Sequence, residues 1–236
     1  MIFKVKSILS VISLFILYSN NSFSQQNFVN VPSSEVTDSH KVFFQQQLNI
    51  GKQLQFNSTL DFGLGKGFEV GCNLLGLNYP SPASASGPLI MLNGLKQFKI
   101  TKSSSLNFGV QIGTNATKHI SNIHGADILY MNYRIKDLLV EESNLVLGTY
   151  YHSYHYGGIS NRTGLWIGLE IPITHNFHLM AEDIIGNTDI AASCLGMIYY
   201  PIDWMPLTFG WQFNHNILSQ SSFVFELTIT PKHHKK

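Results

Sequence analysis

The sequence predicts an all-β protein, an antiparallel up-and-down transmembrane β-barrel of about twelve strands, within a range of roughly 10 to 14. Short segments along most of the chain alternate apolar and polar residues, as Leu54–Phe62 and Leu207–Phe213 show. A period of two places the apolar side chains on one face of a strand and the polar ones on the other. An export signal precedes these segments, and no later run is apolar for long enough to predict a membrane helix.

The first residues have the three parts of a signal peptide. Lys4 and Lys6 give a positive start, Ser7–Tyr18 is apolar, and Ser22–Ser24 fits a small-x-small cleavage site. The apolar run is about a dozen residues long, whereas a membrane-spanning helix needs about 20. We therefore predict a cleaved signal peptide over residues 1–24.

The rest of the chain divides into three segments. Residues 25–40 lack periodicity and are predicted to be a short periplasmic lead-in, residues 41–231 to form the barrel, and residues 232–236 to be a basic tail. Strands are expected near 42–50, 54–63, 67–77, 89–99, 105–114, 126–136, 144–152, 164–172, 176–185, 189–200, 206–214 and 222–231. This is an even number of strands, as single-chain bacterial barrels require.

The lengths of the connections support the same fold. With the N-terminus in the periplasm, connections after odd-numbered strands should be long loops, and those after even-numbered strands should be short turns. Asn78–Gly87, Asn115–Gly125 and Ser153–Arg162 follow this rule, whereas Gly51–Gln53 is too short and 137–143 too long. A secreted β-sandwich also alternates, but its apolar faces need not recur with such even strength.

Composition excludes some classes of partner. Charged residues make up 12% of the sequence and the formal net charge is +1, which gives no reason to expect nucleic acid as a partner. Cys72 and Cys194 lie on separate predicted strands, each in phase with the apolar residues. Two unpaired cysteines that face outward are expected, because distant positions on a barrel wall do not meet.

The chain resembles a bacterial outer-membrane β-barrel protein of the porin-like type. The export signal, the paired strands and the apolar terminal strand Ser222–Thr230 carry this resemblance. The hairpin Asp61–Gly71 is similar to hairpins of porin-like proteins, and Gln25 after the cut and the Asn/Ser/Ile-rich composition resemble exported proteins of the Bacteroidota. The chain departs from the usual pattern at its end, where residues 231–236 replace a terminal aromatic residue. The resemblance implies a location in the outer membrane, in contact with its lipid.

If the apolar residues face lipid, the opposite set faces the lumen. The candidates for solute selectivity in this inward set are Asp61, Glu69, Arg134, Glu170, His178, Glu182 and Glu226. Five carboxylates against one arginine favour cations, so the sequence predicts a passive channel for small polar solutes with a mild cation preference. A plugged lumen is an equal alternative, with Arg134 paired to Glu69 or Glu170 in a non-transporting barrel that has structural or surface-binding roles.

Catalysis and metal binding have less support in the sequence. His155 and Ser160 would meet only if Gly157 and Gly158 bend the loop back, which would suit an outer-membrane lipid hydrolase. The other histidines of the predicted outer loops and strand ends are His119, His124, His152 and His215. Their spacing matches no metal site, so solvated histidines, no cofactor and no enzymatic activity are expected.

Overall fold

The structure, a computed structural model, describes residues 28–32, 34–80, 87–116, 122–158, 161–216 and 221–230. The predicted signal peptide, the first residues of the predicted lead-in and the basic tail lie outside these ranges. Within the described ranges, no helix has the length and apolar character needed to cross a membrane.

In the described residues, twelve antiparallel strands form one closed barrel, in which each strand pairs with its sequence neighbours and the last pairs with the first. The strands are β1 (Val42–Ile50), β2 (Leu54–Gly65), β3 (Phe68–Tyr79), β4 (Leu89–Lys99), β5 (Ser104–Asn115), β6 (Gly125–Lys136), β7 (Asn144–His152), β8 (Thr163–Pro172), β9 (Phe177–Ile185), β10 (Ala192–Tyr199), β11 (Leu207–Asn214) and β12 (Ser222–Ile229). A short helix, α1 (Tyr154–Gly157), lies between β7 and β8. The predicted fold class is confirmed.

The connections define two ends of the barrel. The turn end carries the connections after even-numbered strands, at 66–67, 100–103, 137–143, 173–176 and 200–206. The loop end carries those after odd-numbered strands, at 51–53, 80–88, 116–124, 153–162, 186–191 and 215–221. These names are used below for the two ends.

The outer face of the barrel is an apolar belt. Leu92, Ile112 and Leu195 are 71%, 59% and 58% exposed, and similar side chains project from the other strands. Strands of 8 to 12 residues are long enough to cross the hydrocarbon core of a bilayer when tilted. A continuous apolar surface of this kind suits lipid rather than water.

The two cysteines lie on opposite faces of the wall. Cys72 is exposed on the outer face, whereas Cys194 is buried and faces inward, and both are free thiols. The expectation that both face outward is therefore wrong for Cys194. Strand β10 has apolar residues on both faces, with Ile198 inward and Leu195 outward, so its phase cannot be determined from apolar residues alone.

The N-terminal segment, residues 28–32 and 34–40 of the described chain, runs inside the barrel. Phe28 and Val31 are buried in the same apolar cluster as Trp166 of β8. Further along, the backbone N–H of His40 donates to the carbonyl of Gly63 on β2 at 2.8 Å. The expectation of a lead-in that only precedes the barrel is corrected by these contacts. The segment has no alternation because successive residues contact different strands.

Candidate functional site

The inward face of the barrel has two walls of different chemistry. The aromatic wall consists of Tyr130 on β6, Tyr150 on β7 and Trp166 on β8. The amide wall consists of the lining residues with side-chain amides on the strands, namely Gln45, Gln47, Asn49, Gln55, Asn57, Asn73, Asn78, Asn93, Gln111, Gln212 and Asn214. The alternation of β1 explains part of this wall, because its inward positions are occupied by Gln45, Gln47 and Asn49.

A cavity of about 890 Å³ lies between these walls. Residues Phe28–Pro32 of the N-terminal segment form its floor, and it extends to Lys52 and Gln53 at the loop end. Among the described residues, none of the turn-end connections lines it. The described lining of the cavity therefore reaches the loop end and stops short of the turn end.

Hydrogen bonds join several side chains of the amide wall into a chain. Nε2 of Gln47 donates to Oδ1 of Asn49 at 2.8 Å, and Nδ2 of Asn49 donates to Oε1 of Gln55 at 3.1 Å. Nε2 of Gln55 then donates to Oδ1 of Asn78 at 3.4 Å. Each amide has two N–H donors and an oxygen that accepts two bonds. The wall therefore holds fixed donors and acceptors without net charge.

Glu182 of β9 holds the first part of the N-terminal segment. Its carboxylate accepts the backbone N–H of Asn30 at 3.0 Å and that of Val31 at 3.1 Å. It also accepts Nδ2 of Asn30 at 2.6 Å. Hydrogen bonds to an ionised group are stronger than those between neutral groups, so Glu182 is a main anchor of the segment.

Charged side chains near the turn end hold the second part of the segment. Arg134 of β6 pairs with Glu35, and Nζ of Lys136 lies 2.5 Å from the same Glu35 oxygen. The backbone N–H of Thr37 donates to Oε2 of Glu69 at 2.6 Å. Among the described residues, the ion pair of Arg134 is thus with Glu35 of the N-terminal segment rather than with Glu69 or Glu170, and its Nε also donates to Oδ1 of Asn144 at 2.7 Å.

Glu35 titrates at an unusually low pH. Burial by itself would raise its pKa, but the positive charges of Arg134 and Lys136 and their hydrogen bonds outweigh that effect. The pKa of Glu35 is lowered from 4.5 to about 2. The carboxylate is therefore ionised at neutral pH and holds the segment by charge.

The remaining candidate residues lie in the filled turn end of the lumen. Glu170 and His178 are fully buried, with Nδ1 of His178 2.7 Å from Oε1 of Glu170. The hydroxyl of Tyr200 donates to the same oxygen at 3.0 Å. Glu226 is also fully buried and accepts the hydroxyl of Thr228 at 3.3 Å. These groups pack the barrel below the cavity.

Asp61 and Glu69 are the candidate residues that line the cavity. Oδ1 of Asp61 accepts Nδ2 of Asn93 at 2.8 Å. Sequence reasoning missed most of the amide wall, including the three amides of β1, and the contacts of Glu35. The alternation of β1 contains the signal for the amide wall, because it puts three amides in phase with each other. The contacts of Glu35 have no local signal, since its partners lie on a distant strand.

The loop histidines do not form a metal site in the described part of the chain, where no group of three or more His, Cys, Asp or Glu is placed to hold an ion. His124 and His155 stack with their ring centroids 4.3 Å apart, and His155 lines the cavity. Ser160 and His119 lie outside the described residues.

A different serine and histidine meet on the outer face near the loop end. Oγ of Ser193 lies 2.7 Å from Nε2 of His215 and donates to Oδ1 of Asp183 at 2.8 Å. Nε2 of His215 also lies 3.2 Å from that Asp183 oxygen. In a catalytic triad the acid holds Nδ1, which leaves Nε2 for the serine. Here both contacts involve Nε2, so we interpret the group as a hydrogen-bonded cluster at the edge of the apolar belt.

Comparisons with known proteins address the fold. The chain matches no protein-family model and no curated protein. It is similar to a solved KdgM porin, with a TM-score of 0.58 and 8% identity over 80% of this chain and 99% of that chain. It is also similar to a KdgM porin in complex with disordered oligogalacturonate, with a TM-score of 0.54 and 8% identity over 81% and 99% of the two chains.

A third solved structure is outer membrane phospholipase A from Escherichia coli, at a TM-score of 0.45 and 12% identity over 94% of this chain and 98% of that chain. The two porin structures and the closed sheet of twelve strands in the described residues agree. The architecture of this chain is that of a porin-like outer-membrane β-barrel.

Proposed function

We propose that the protein is an outer-membrane channel for small polar solutes, and that its N-terminal segment closes the periplasmic end. The observation that carries this proposal is the polar cavity of about 890 Å³, whose described lining extends from Phe28–Pro32 to Lys52 and Gln53 at the loop end. The apolar belt supports placement in the outer membrane. Bacterial barrels place their longer loops outside the cell, so solutes would enter this cavity from the exterior.

The groups around the cavity support a mild preference for cations. Among the described lining residues, Glu69 and Asp189 carry negative charge, Lys52 carries the opposing charge, and Asp61 lies beside Glu69. Carboxylates in a pore attract cations. Arg134, Glu170, Glu182 and Glu226 do not line the cavity. Their proposed role is to hold the segment and to fill the turn end.

The likeness to the KdgM porin supports small polar solutes as partners. One solved KdgM structure is described in complex with oligogalacturonate, which is a chain of acidic sugars. The carboxylates of Glu69 and Asp189 in the cavity of this chain would repel such a polyanion. The proposed solutes are therefore polar and either neutral or positively charged.

A solute can cross only if the N-terminal segment moves. Its polar anchors include Glu182 for residues 30–31, Arg134 with Lys136 for Glu35, and Glu69 for Thr37. Loss of these contacts would free the segment from the wall. We therefore take displacement of the segment as the opening step of the channel.

The closed turn end also favours a second candidate function, a non-transporting barrel that binds a ligand in its outward cavity. The two candidates share the cavity and differ in whether the segment ever leaves the lumen. Ion conductance therefore distinguishes them.

The test is conductance in planar bilayers. The variant carries Glu35→Gln and Glu182→Gln, which weaken two anchors of the segment. The control carries Glu141→Gln, at an exposed position of the 137–143 connection, and Asp183→Asn, next to Glu182 but on the outer face. Both proteins lose the same formal charge. Folding is checked by the gel shift that folded barrels show on heating.

We expect discrete conductance steps that are frequent in the variant and rare in the wild type and the control. Reversal potentials in a salt gradient should show a modest preference for cations. A folded variant that stays silent, as the wild type does, would refute the channel and leave the binding barrel. A clear anion preference would refute the selectivity alone.

A further inference from the structure

The cavity has a combination of surfaces that selects a chemical class of solute. We propose that it binds a neutral oligosaccharide, placed between the amide wall and the aromatic residues. This inference rests on the proposed function, because it names the solute class of the same cavity. Its argument uses the chemistry of the two walls, the charge of the lining and the size of the space.

The amide wall matches the hydroxyl groups of a sugar. A hydroxyl donates one hydrogen bond and accepts others, and a side-chain amide offers both roles from one planar group. Gln47 and Asn49 are only 6% and 7% exposed and are tied to Gln55 by the hydrogen-bonded chain described above. Their orientation is thus fixed before a ligand arrives, which lowers the entropy lost on binding.

Aromatic rings line the same cavity. Tyr130 and Tyr156 contribute half-buried rings to its surface. Trp166 is buried and packs against Tyr130 with the ring centroids 5.5 Å apart. The apolar C–H face of a sugar ring packs well on an aromatic face, while its hydroxyl groups at the edge need polar partners. The hydroxyl of Tyr156 donates to Oε1 of Gln111 at 3.5 Å, so the two kinds of surface meet at this point.

The charge of the cavity lining and the size of the cavity restrict the class of ligand further. Glu69 and Asp189 line the cavity, and their carboxylates would repel a uronic acid. At about 890 Å³ the cavity falls in the upper part of the range of about 300–1,000 Å³ that is usual for small-molecule sites. This space fits a short oligomer better than a single sugar. The ligand class is therefore a neutral oligosaccharide of a few units.

The test compares two sugars of equal length on the full protein purified in detergent. Binding of maltotetraose and of tetragalacturonate is measured by isothermal titration calorimetry. We expect saturable binding of maltotetraose and at least tenfold weaker binding of tetragalacturonate. Equal or tighter binding of the acidic sugar, or no saturable binding of either, would overturn the proposal.

Two variants test whether the amide wall makes the contact. Gln47→Leu removes an inward amide and should weaken maltotetraose binding about fivefold, which is the effect of losing one hydrogen bond. The matched control is Gln46→Leu on the same strand, because Gln46 faces outward and bonds to Ser58. Its affinity should equal that of the wild type. Equal losses in both variants would contradict a site on the amide wall.

Tyr156→Ala provides an independent readout, because Tyr156 belongs to α1 and not to the barrel sheet. It should weaken maltotetraose binding by several-fold while the heat-dependent gel shift stays unchanged. Calorimetry needs only the cavity, whereas conductance needs the segment to move. Conductance without sugar binding would overturn the sugar proposal alone, and sugar binding without conductance would overturn the channel alone.

Discussion

Glu35 and Arg134 form an ion pair inside the barrel although they lie 99 positions apart in the sequence. Lys136 contacts the same carboxylate from the end of β6. The pair connects the N-terminal segment to β6, a strand that is not adjacent to β2 in the barrel. Docking of the segment therefore depends on the charges of these side chains. The closed state can be tested by changing those charges through mutation or pH.

Acid should loosen the N-terminal segment through Glu35. Its pKa is lowered from 4.5 to about 2 in the folded protein. A group with a lowered pKa contributes its stabilisation fully above the unfolded value of 4.5 and loses it as the pH falls through about 2. Conductance or proteolysis of residues 28–40 should therefore increase between these two values.

The control for the acid effect is Glu35→Gln, which has no carboxylate to titrate at this position. Other carboxylates contribute equally to both proteins, so the difference between the two pH profiles isolates Glu35. Identical profiles would show that the ion pair does not hold the segment.

Removing the charge of Glu182 should free residues 28–32. In Glu182→Gln the backbone N–H groups of Asn30 and Val31 lose a charged acceptor, which costs about 2 kcal/mol. This corresponds to roughly 30-fold faster hydrogen exchange of these amides. Asp183→Asn is the control, because the adjacent carboxylate lies on the outer face. A similar increase in the control would attribute the effect to the strand rather than to the anchor.

A methyl group at Gly63 should displace the segment. A Cβ at this position would meet the backbone carbonyl oxygens of Thr37 and Asp38, and backbone atoms cannot rotate away as a side chain can. Gly63→Ala should therefore raise conductance. The control is Gly125→Ala, since a Cβ there has nothing within 4 Å. Unchanged conductance in both variants would mean that the segment adapts without leaving its site.

A charge introduced on the outer face should destabilise the barrel only where it lies within a strand of the apolar belt. Leu195 in β10 and Leu139 in the 137–143 connection are both 58% exposed. Arginine at the middle of a membrane strand costs about 2–4 kcal/mol, so Leu195→Arg should lower the free energy of unfolding from lipid vesicles by that amount. Leu139→Arg should leave it nearly unchanged. Equal effects would contradict a membrane position for β10.

The strands could be predicted because their environment repeats every second residue. In β1, apolar Val42 and Leu48 face outward while Gln45 and Gln47 face inward. The alternation of residue types along the strand therefore shows which residues share a face. The cavity could be predicted only in part. Glu170 and Glu226 were predicted to line the lumen because they are charged, but the fold buries them. Uncharged amides line much of the cavity instead.

The N-terminal segment could not be predicted as a part of the lumen. Asn30 contacts β9, Glu35 contacts β6 and Thr37 contacts β3. These neighbours follow no period along the segment. Each contact depends on two positions far apart in the chain, and a single sequence does not contain that pairing.

The N-terminal segment also crosses the lumen from Gly63 on β2 to Glu182 on β9. These two strands are otherwise connected only through the strands between them around the circumference. A hollow barrel under lateral pressure deforms by flattening of its cross-section, and a crosspiece between distant walls resists that deformation. Release of the segment would therefore soften the barrel at the same time as it opens the lumen. Lateral tension in the surrounding lipid would then change the balance between the barrel with its segment docked and the barrel with its segment released.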